Sequence, residues 1–207
     1  MSRLRVVNLG LPKTGTTTLA RALKMAGLRV ADHRIRPRQI DDAALHNRFV
    51  ADLVYRGYFE TGDPGARLPG FDAITELSLL REGRSMWPQM DFALIDAIRR
   101  HHPGVKLLGS RRDSWEVSQS MLAWSDLGVA RLPASDIPGL PAGFGETSKE
   151  RMAWIDGHYA HLARIFAGDP DYLEYDVSDP GARDAIAAHT GIDLPWWGRA
   201  NTNREAV

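Results

Sequence analysis

In the stretch GLPKTGTTTL, Lys13 stands between Gly10 and Gly15, and Thr14, Thr16, Thr17 and Thr18 crowd the second glycine. Glycines let the backbone come close to an anion in conformations other residues avoid. Threonine hydroxyls add donors, and Lys13 adds a mobile positive charge. Where such a loop opens a helix, the helix's first amides aim at the same spot, and the chemistry is the holding of a phosphate-like oxyanion. The nucleotide loop G-x-x-x-x-G-K-[ST] has the same glycine spacing but puts its lysine directly after the second glycine. Here Thr16 occupies that place and Lys13 precedes Gly15 by two residues. A metal-dependent NTPase also needs a carboxylate that helps hold Mg²⁺. The later strand VKLLGS ends without one, so the sequence gives that class weak support.

A second pair could do related chemistry. In VKLLGSRRDSWEVSQSM, Arg112 closes a strand and Ser120 follows eight residues later, two turns into a helix. The two can reach one phosphate from two sides, and a planar guanidinium suits a bidentate contact. His33 and Glu76 complete the candidates: each falls at a strand end and could take a proton. The alternatives are a hydrogen-bonded turn histidine and a solvated carboxylate at a helix start. His158 and His161 have i, i+3 spacing that suits metal ligands, but no clustered carboxylate accompanies them. The basic run HRIRPR, His33 to Arg38, reads either as a solvated loop or as an attractor for an anionic acceptor. Trp196 and Trp197 could pack the C-terminal end onto a sheet or line a pocket.

The elements that must position these groups alternate between strand-like and helix-like patterns, as in an α/β fold with a mainly parallel sheet. Strands are expected at 4–9, about 28–32, 71–75, within GVKLLGS, and at YLEYDV. Helices are expected at 16–26, about 40–55, about 88–101, from Asp113 to about Trp124, at 149–166 and at 181–189. The first has Leu19, Ala22, Leu23 and Ala26 at i, i+3, i+4, i+7. Residues 128–145 hold four glycines and three prolines and read as a flexible substrate loop or lid. In an open α/β sheet ligands collect at the carboxyl ends of the strands. Gly10, His33, Glu76 and Arg112 all fall at such ends.

Composition sets outer limits. The 207 residues suit a single domain, 1–207. Twenty-six basic and 26 acidic side chains cancel, which argues against a dedicated nucleic-acid binder. Absence of cysteine excludes disulfides, cysteine nucleophiles and thiolate zinc sites. No apolar run approaches a bilayer span, and the N-terminus lacks a signal peptide's apolar stretch, so a cytoplasmic protein with no membrane partner is expected.

GLPKTGTTTLARAL resembles the 5′-phosphosulfate loop of the sulfotransferases that use 3′-phosphoadenosine 5′-phosphosulfate (PAPS), close to P-K-[ST]-G-T-[TS]. Arg112 and Ser120 are similar to that family's second motif, a strand ending in Arg with Ser eight residues on. Asp113 follows as in its R-[DN]-P variants, although Ser114 replaces the usual proline. FDAITELSLL is similar to a segment of small bacterial members in which a strand ends in an acidic residue near the transferred group. The tail AAHTGIDLPWWGRANTN resembles their C-terminal region.

The resemblance implies a P-loop NTPase-like three-layer fold, with helices on both faces of the sheet. It implies sulfuryl transfer from PAPS to a hydroxyl or amine of a small-molecule acceptor, leaving 3′,5′-bisphosphoadenosine (PAP), with no metal expected. Lys13, Thr14, Gly15, Thr16 and Thr17 would hold the phosphosulfate, and Arg112 and Ser120 the 3′-phosphate. Lys13 would also stabilise the leaving oxygen. Glu76, ahead of His33, would be the base. Two other readings remain: a P-loop kinase of small metabolites using ATP and Mg²⁺, and a non-catalytic nucleotide-binding protein.

Overall fold

The computed structural model describes residues 4–200. Five parallel strands form the central sheet: β1 (Val6–Asn8), β2 (Val30–Ala31), β3 (Ala73–Ile74), β6 (Lys106–Arg111) and β7 (Tyr172–Asp176), in the order β2-β3-β1-β6-β7. The remaining two, β4 (Leu79–Arg81) and β5 (Arg84–Met86), make a separate antiparallel hairpin. The helices are α1 (Thr16–Met25), α2 (Val50–Thr61), α3 (Phe92–His101), α4 (Ser114–Leu122), α5 (Ser148–Ile165) and α6 (Ala182–Thr190).

Period-two alternation along buried parallel strands sends successive side chains to opposite faces. Val6, Val30, Ala73 and Leu108 join Leu19 and Leu23 of α1 and Ile186 of α6 in one apolar cluster. Their neighbours Val7, Ala31, Ile74 and Leu107 join residues of α2, α3, α4 and α5 in another. The result is a sheet between two helical layers, an α/β fold as expected. Among the described residues no helix is long and apolar enough to cross a membrane.

The helix expected over about 40–55 is displaced. Short 3-10 turns at Pro37–Gln39 and Ala43–Leu45 fill its first part, and α2 starts only at Val50. Asp42 accepts from the Ala44 amide and Asn47 takes φ of 60°, both of which divert the backbone from a continuous helix. Segment 128–145 begins within a π-helical turn, Leu127–Arg131, and buries Leu132, Ile137 and Leu140. Its far end is tied down by Arg151 of α5, fully buried, which donates to the carbonyls of Gly145 and Glu146 at 2.8 Å. The 201–207 end of the tail lies outside the described residues.

Strand order fixes where a ligand can sit. From β1 the chain moves to β2 and β3 on one side, then crosses to β6 and β7 on the other. The carboxyl ends of β1 and β6 therefore flank the point where the connections diverge, the usual crevice of an open parallel sheet.

Candidate functional site

Asn8, at the end of β1, is buried and ties three strands together. Its side-chain amide donates to the Thr75 carbonyl and to Ser110 Oγ, each at 3.0 Å, and its Oδ1 accepts from the Ser110 amide at 3.1 Å. The loop after it makes close turns. A Cβ on Gly10 would run into the Ser110 side chain and its carbonyl. Gly15, the residue capping α1, has φ of 93°, and a Cβ there would meet Val177 Cγ2 at 2.5 Å. Lys13 itself is left-handed, φ 73°, a conformation that costs a lysine about 1–2 kcal/mol. Such strain at a loop that presents a charge is characteristic of functional sites. With glycine as its cap and no acid in its first turn, α1 leaves its leading amides uncovered by side chains.

These residues open onto a cleft of about 1410 Å³. Single small-ligand pockets run to roughly 300–1,000 Å³, so this one has room for two molecules. Lys13, Gly15, Thr16 and Thr17 line one part of it; Arg112 and Ser120 line it from α4 and the loop before it. Glu76 and His33 line it as well. Of the predicted site residues, only Thr14 turns its side chain away. Its hydroxyl donates to the Leu11 carbonyl at 2.6 Å and contacts Ser110 Oγ at 3.0 Å, bracing the loop from beneath.

Lys13 Nζ lies 3.7 Å from the centroid of the Trp124 ring. Burial, and then the neighbouring Arg112 charge, lower its pKa to about 8, while Glu76 pulls the other way. Arg112 follows the last residue of β6, so it points opposite to Arg111, which pairs with Glu174 on β7. Arg112 instead reaches the Lys13 carbonyl at 3.5 Å and Glu116 at 2.7 Å. Asp113 caps α4 by accepting from the Glu116 amide, which fixes the helix that carries Ser120.

Glu76 is the most buried acid facing the cleft. Its Oε2 accepts from the Thr16 hydroxyl at 3.1 Å, and its Oε1 accepts from the Ser78 amide at 3.1 Å and from the Ser78 hydroxyl. Burial raises its pKa; these donors and nearby His33 oppose the rise without cancelling it. His33 Nδ1 lies 3.0 Å from the Ser78 carbonyl. A carbonyl only accepts, so Nδ1 is the donor in this contact. Ser78 thus holds both candidate bases, through three of its own polar groups.

Ser78, Asn8 and Trp124 are not singled out by the sequence: Ser78 lies within FDAITELSLL, but no spacing marks it, and Asn8 and Trp124 belong to no motif. His158 and His161 have different surroundings: His158 is buried, 2.9 Å from the Leu9 carbonyl, whereas His161 is exposed. Of the paired tryptophans, Trp196 stacks under Arg21 at 4.3 Å, while Trp197 packs near Tyr175 and also lines the cleft. No protein-family model and no curated protein matches this chain.

Proposed function

We propose that this protein is a cytoplasmic, P-loop-type sulfotransferase that moves a sulfuryl group from PAPS to a hydroxyl or amine of a small acceptor, releasing PAP. The observation that carries the reading is the meeting of three separate chain segments in one cleft: the Lys13 loop, the Arg112–Ser120 pair and Glu76. The residues present fit the donor. Gly10 and Gly15 let the loop pack against Ser110 and Val177, where a Cβ would collide, and the amides of that loop with Thr16, Thr17 and Lys13 form a donor set for an oxyanion. Arg112 and Ser120 supply a second anion grip in the same cleft.

When bound, PAPS would supply an activated sulfuryl group and a phosphate leaving group. The acceptor's oxygen or nitrogen forms its bond to sulfur as the sulfur–oxygen bond to the phosphate breaks, and negative charge passes to that oxygen. Lys13, still mostly protonated at neutral pH with a pKa of about 8, is the positive group for that charge. Glu76 takes the acceptor's proton, its raised pKa making it a stronger base than an exposed carboxylate. Thr16 and Ser78 hold the carboxylate in place.

One contact favours a second reading, an ATP- and Mg²⁺-dependent kinase of small metabolites. A loop hydroxyl, Thr16, hydrogen-bonded to a strand-end carboxylate, Glu76, also suits a hydrated Mg²⁺. Thermal melts with PAP, AMP and ATP, each with and without Mg²⁺, separate the two, because a ligand of the folded state raises the melting temperature. PAP is expected to bind about tenfold to a hundredfold more tightly than AMP, independently of Mg²⁺. Equal binding of PAP and AMP would remove the 3′-phosphate assignment. ATP binding with a strict Mg²⁺ requirement would select the kinase.

A further inference from the structure

The basic run from His33 to Arg38 divides its charges among different surroundings. Arg34 turns away: its Nε donates to the Asn47 carbonyl at 2.8 Å and its guanidinium lies 5.3 Å over Phe49. Ile35 is buried, and Arg38 lines a separate, smaller cleft beside Lys24 and Arg29. His33 and Arg36 face the main cleft. From another segment, β4 buries Leu79 and Leu80 and then exposes Arg81 to that same cleft.

Charge bookkeeping singles out these two arginines. Of the cleft's other cations, Lys13 and Arg112 belong to the donor loop and its second grip. Arg131 pairs with Asp126 at 2.7 Å. Arg199 follows Gly198, whose carbonyl accepts from Thr18 of α1, so it sits on the donor side. The cleft's acids are also engaged: Glu116 with Arg112, Asp32 with Lys24 at 2.7 Å, Glu76 with Thr16 and Ser78, and Asp179 with the Gly181 amide at 2.7 Å. Among the described residues, neither Arg36 nor Arg81 takes part in a salt bridge.

Their placement relative to the candidate bases is regular. Arg36 comes three residues after His33, and Arg81 three residues after Ser78, the residue that holds both His33 and Glu76. Both cations thus extend from the two segments that carry proton-accepting groups. The buried edges of Leu80, Trp87 and Leu127 border the same cleft and offer a small apolar wall.

We infer that Arg36 and Arg81 form an anion subsite for the acceptor. The acceptor is then a small molecule that carries a carboxylate or phosphate monoester besides the hydroxyl or amine it presents to Glu76. This assignment rests on the sulfotransferase reading of the cleft. A guanidinium engages either anion through paired N–H donors. A neutral acceptor would leave both cleft-lining guanidinium groups without an anionic partner.

The test is calorimetric, on the full chain saturated with PAP so that the donor site is filled. Inorganic phosphate, 4-hydroxybenzoate, phenol and tyramine are titrated in turn. Both anions are expected to bind, and 4-hydroxybenzoate to bind at least tenfold more tightly than phenol, with tyramine weakest. Combining Arg36→Gln with Arg81→Gln should erase that preference and leave PAP affinity within about twofold, because neither arginine is placed on the donor. Unchanged melting temperature of the double variant shows that it folds. Equal binding of 4-hydroxybenzoate and phenol, absence of binding by either anion, or a preference that survives the double substitution would each overturn the subsite. Failure of PAP itself to bind the wild-type chain sinks the donor reading and takes this assignment with it.

Discussion

The Thr16 hydroxyl donates to Glu76 Oε2 at 3.1 Å, joining the start of α1 directly to the acid after β3. A carboxylate offers about four lone-pair sites. Thr16 and the amide and hydroxyl of Ser78 fill three, leaving one for a proton from the cleft. A displacement of the loop would therefore also disturb one of the hydrogen bonds that hold Glu76.

Glu76→Gln keeps the size and removes the charge. The Ser78 amide requires an acceptor at its side, so the new NH₂ turns toward Thr16, whose hydroxyl can rotate to accept it. Stability should fall by only about 1 kcal/mol, with PAP affinity nearly unchanged. Turnover, followed with labelled PAPS and a competent acceptor, should drop at least a hundredfold. His33→Ala should cost less. Full activity of the Gln variant beside an inactive His33→Ala would exchange the two roles.

Gly15→Ala combines two defects that can be separated. The residue's φ of 93° disfavours any side chain, and the added Cβ would meet Val177 Cγ2 at 2.5 Å. Calorimetry should show PAP binding lost or weakened more than tenfold, with a stability loss of about 1–3 kcal/mol. Adding Val177→Ala removes the collision and leaves the backbone strain, so it should restore part of the stability. No restoration would mean that strain alone sets the cost.

The loop and the central strands were legible because chemistry and periodicity coincided there: glycine spacing, Lys13, and apolar runs at β1 and β6 all signal locally. Helix α2 was misplaced because Leu45 and Phe49 extend the i, i+4 spacing of Leu53 back beyond the helix start, while the positive φ at Asn47 depends on its tertiary setting. The β4–β5 hairpin was missed for a related reason. Its turn, Glu82-Gly83, has φ of 56° and 71°, a conformation usually signalled by Asn-Gly or Asp-Gly. Within the site, the Ser78 link between His33 and Glu76 needs three-dimensional contact, which no spacing rule encodes.

Acid should weaken the fold through His158. Burial lowers its pKa from 6.5 to about 4, and its neutral ring donates to the Leu9 carbonyl. Above pH 6.5 both folded and unfolded chains carry it neutral, and its contribution is intact. Between pH 6.5 and 4 the unfolded chain binds the proton first, so stability declines by up to about 3 kcal/mol from this group. Urea unfolding at a series of pH values should show that loss shrink in His158→Gln, which keeps a donor but does not titrate. An unchanged acid slope would mean that other groups account for it.

Lys13 gives the sharpest test of the site because two neighbours act on it with opposite sign. Its pKa is lowered to about 8 first by burial and then by Arg112. Activity that needs the ammonium should therefore be full below pH 8 and fall as the pH rises through it, giving an alkaline limb in kcat/KM. Arg112→Gln removes a repelling charge, so the Lys13 pKa should rise. Trp124→Leu keeps the lysine covered but deletes the ring face 3.7 Å from Nζ, which favours the charged form, so the pKa should fall. Competitive amine labelling of the free protein, read by mass spectrometry across pH 6–11, measures the shift at this one residue without needing an acceptor. Shifts of the same sign in both variants would mean that Trp124 acts only by excluding water, and a wild-type value near 10.5 would remove the electrostatic coupling between Lys13 and Arg112 altogether.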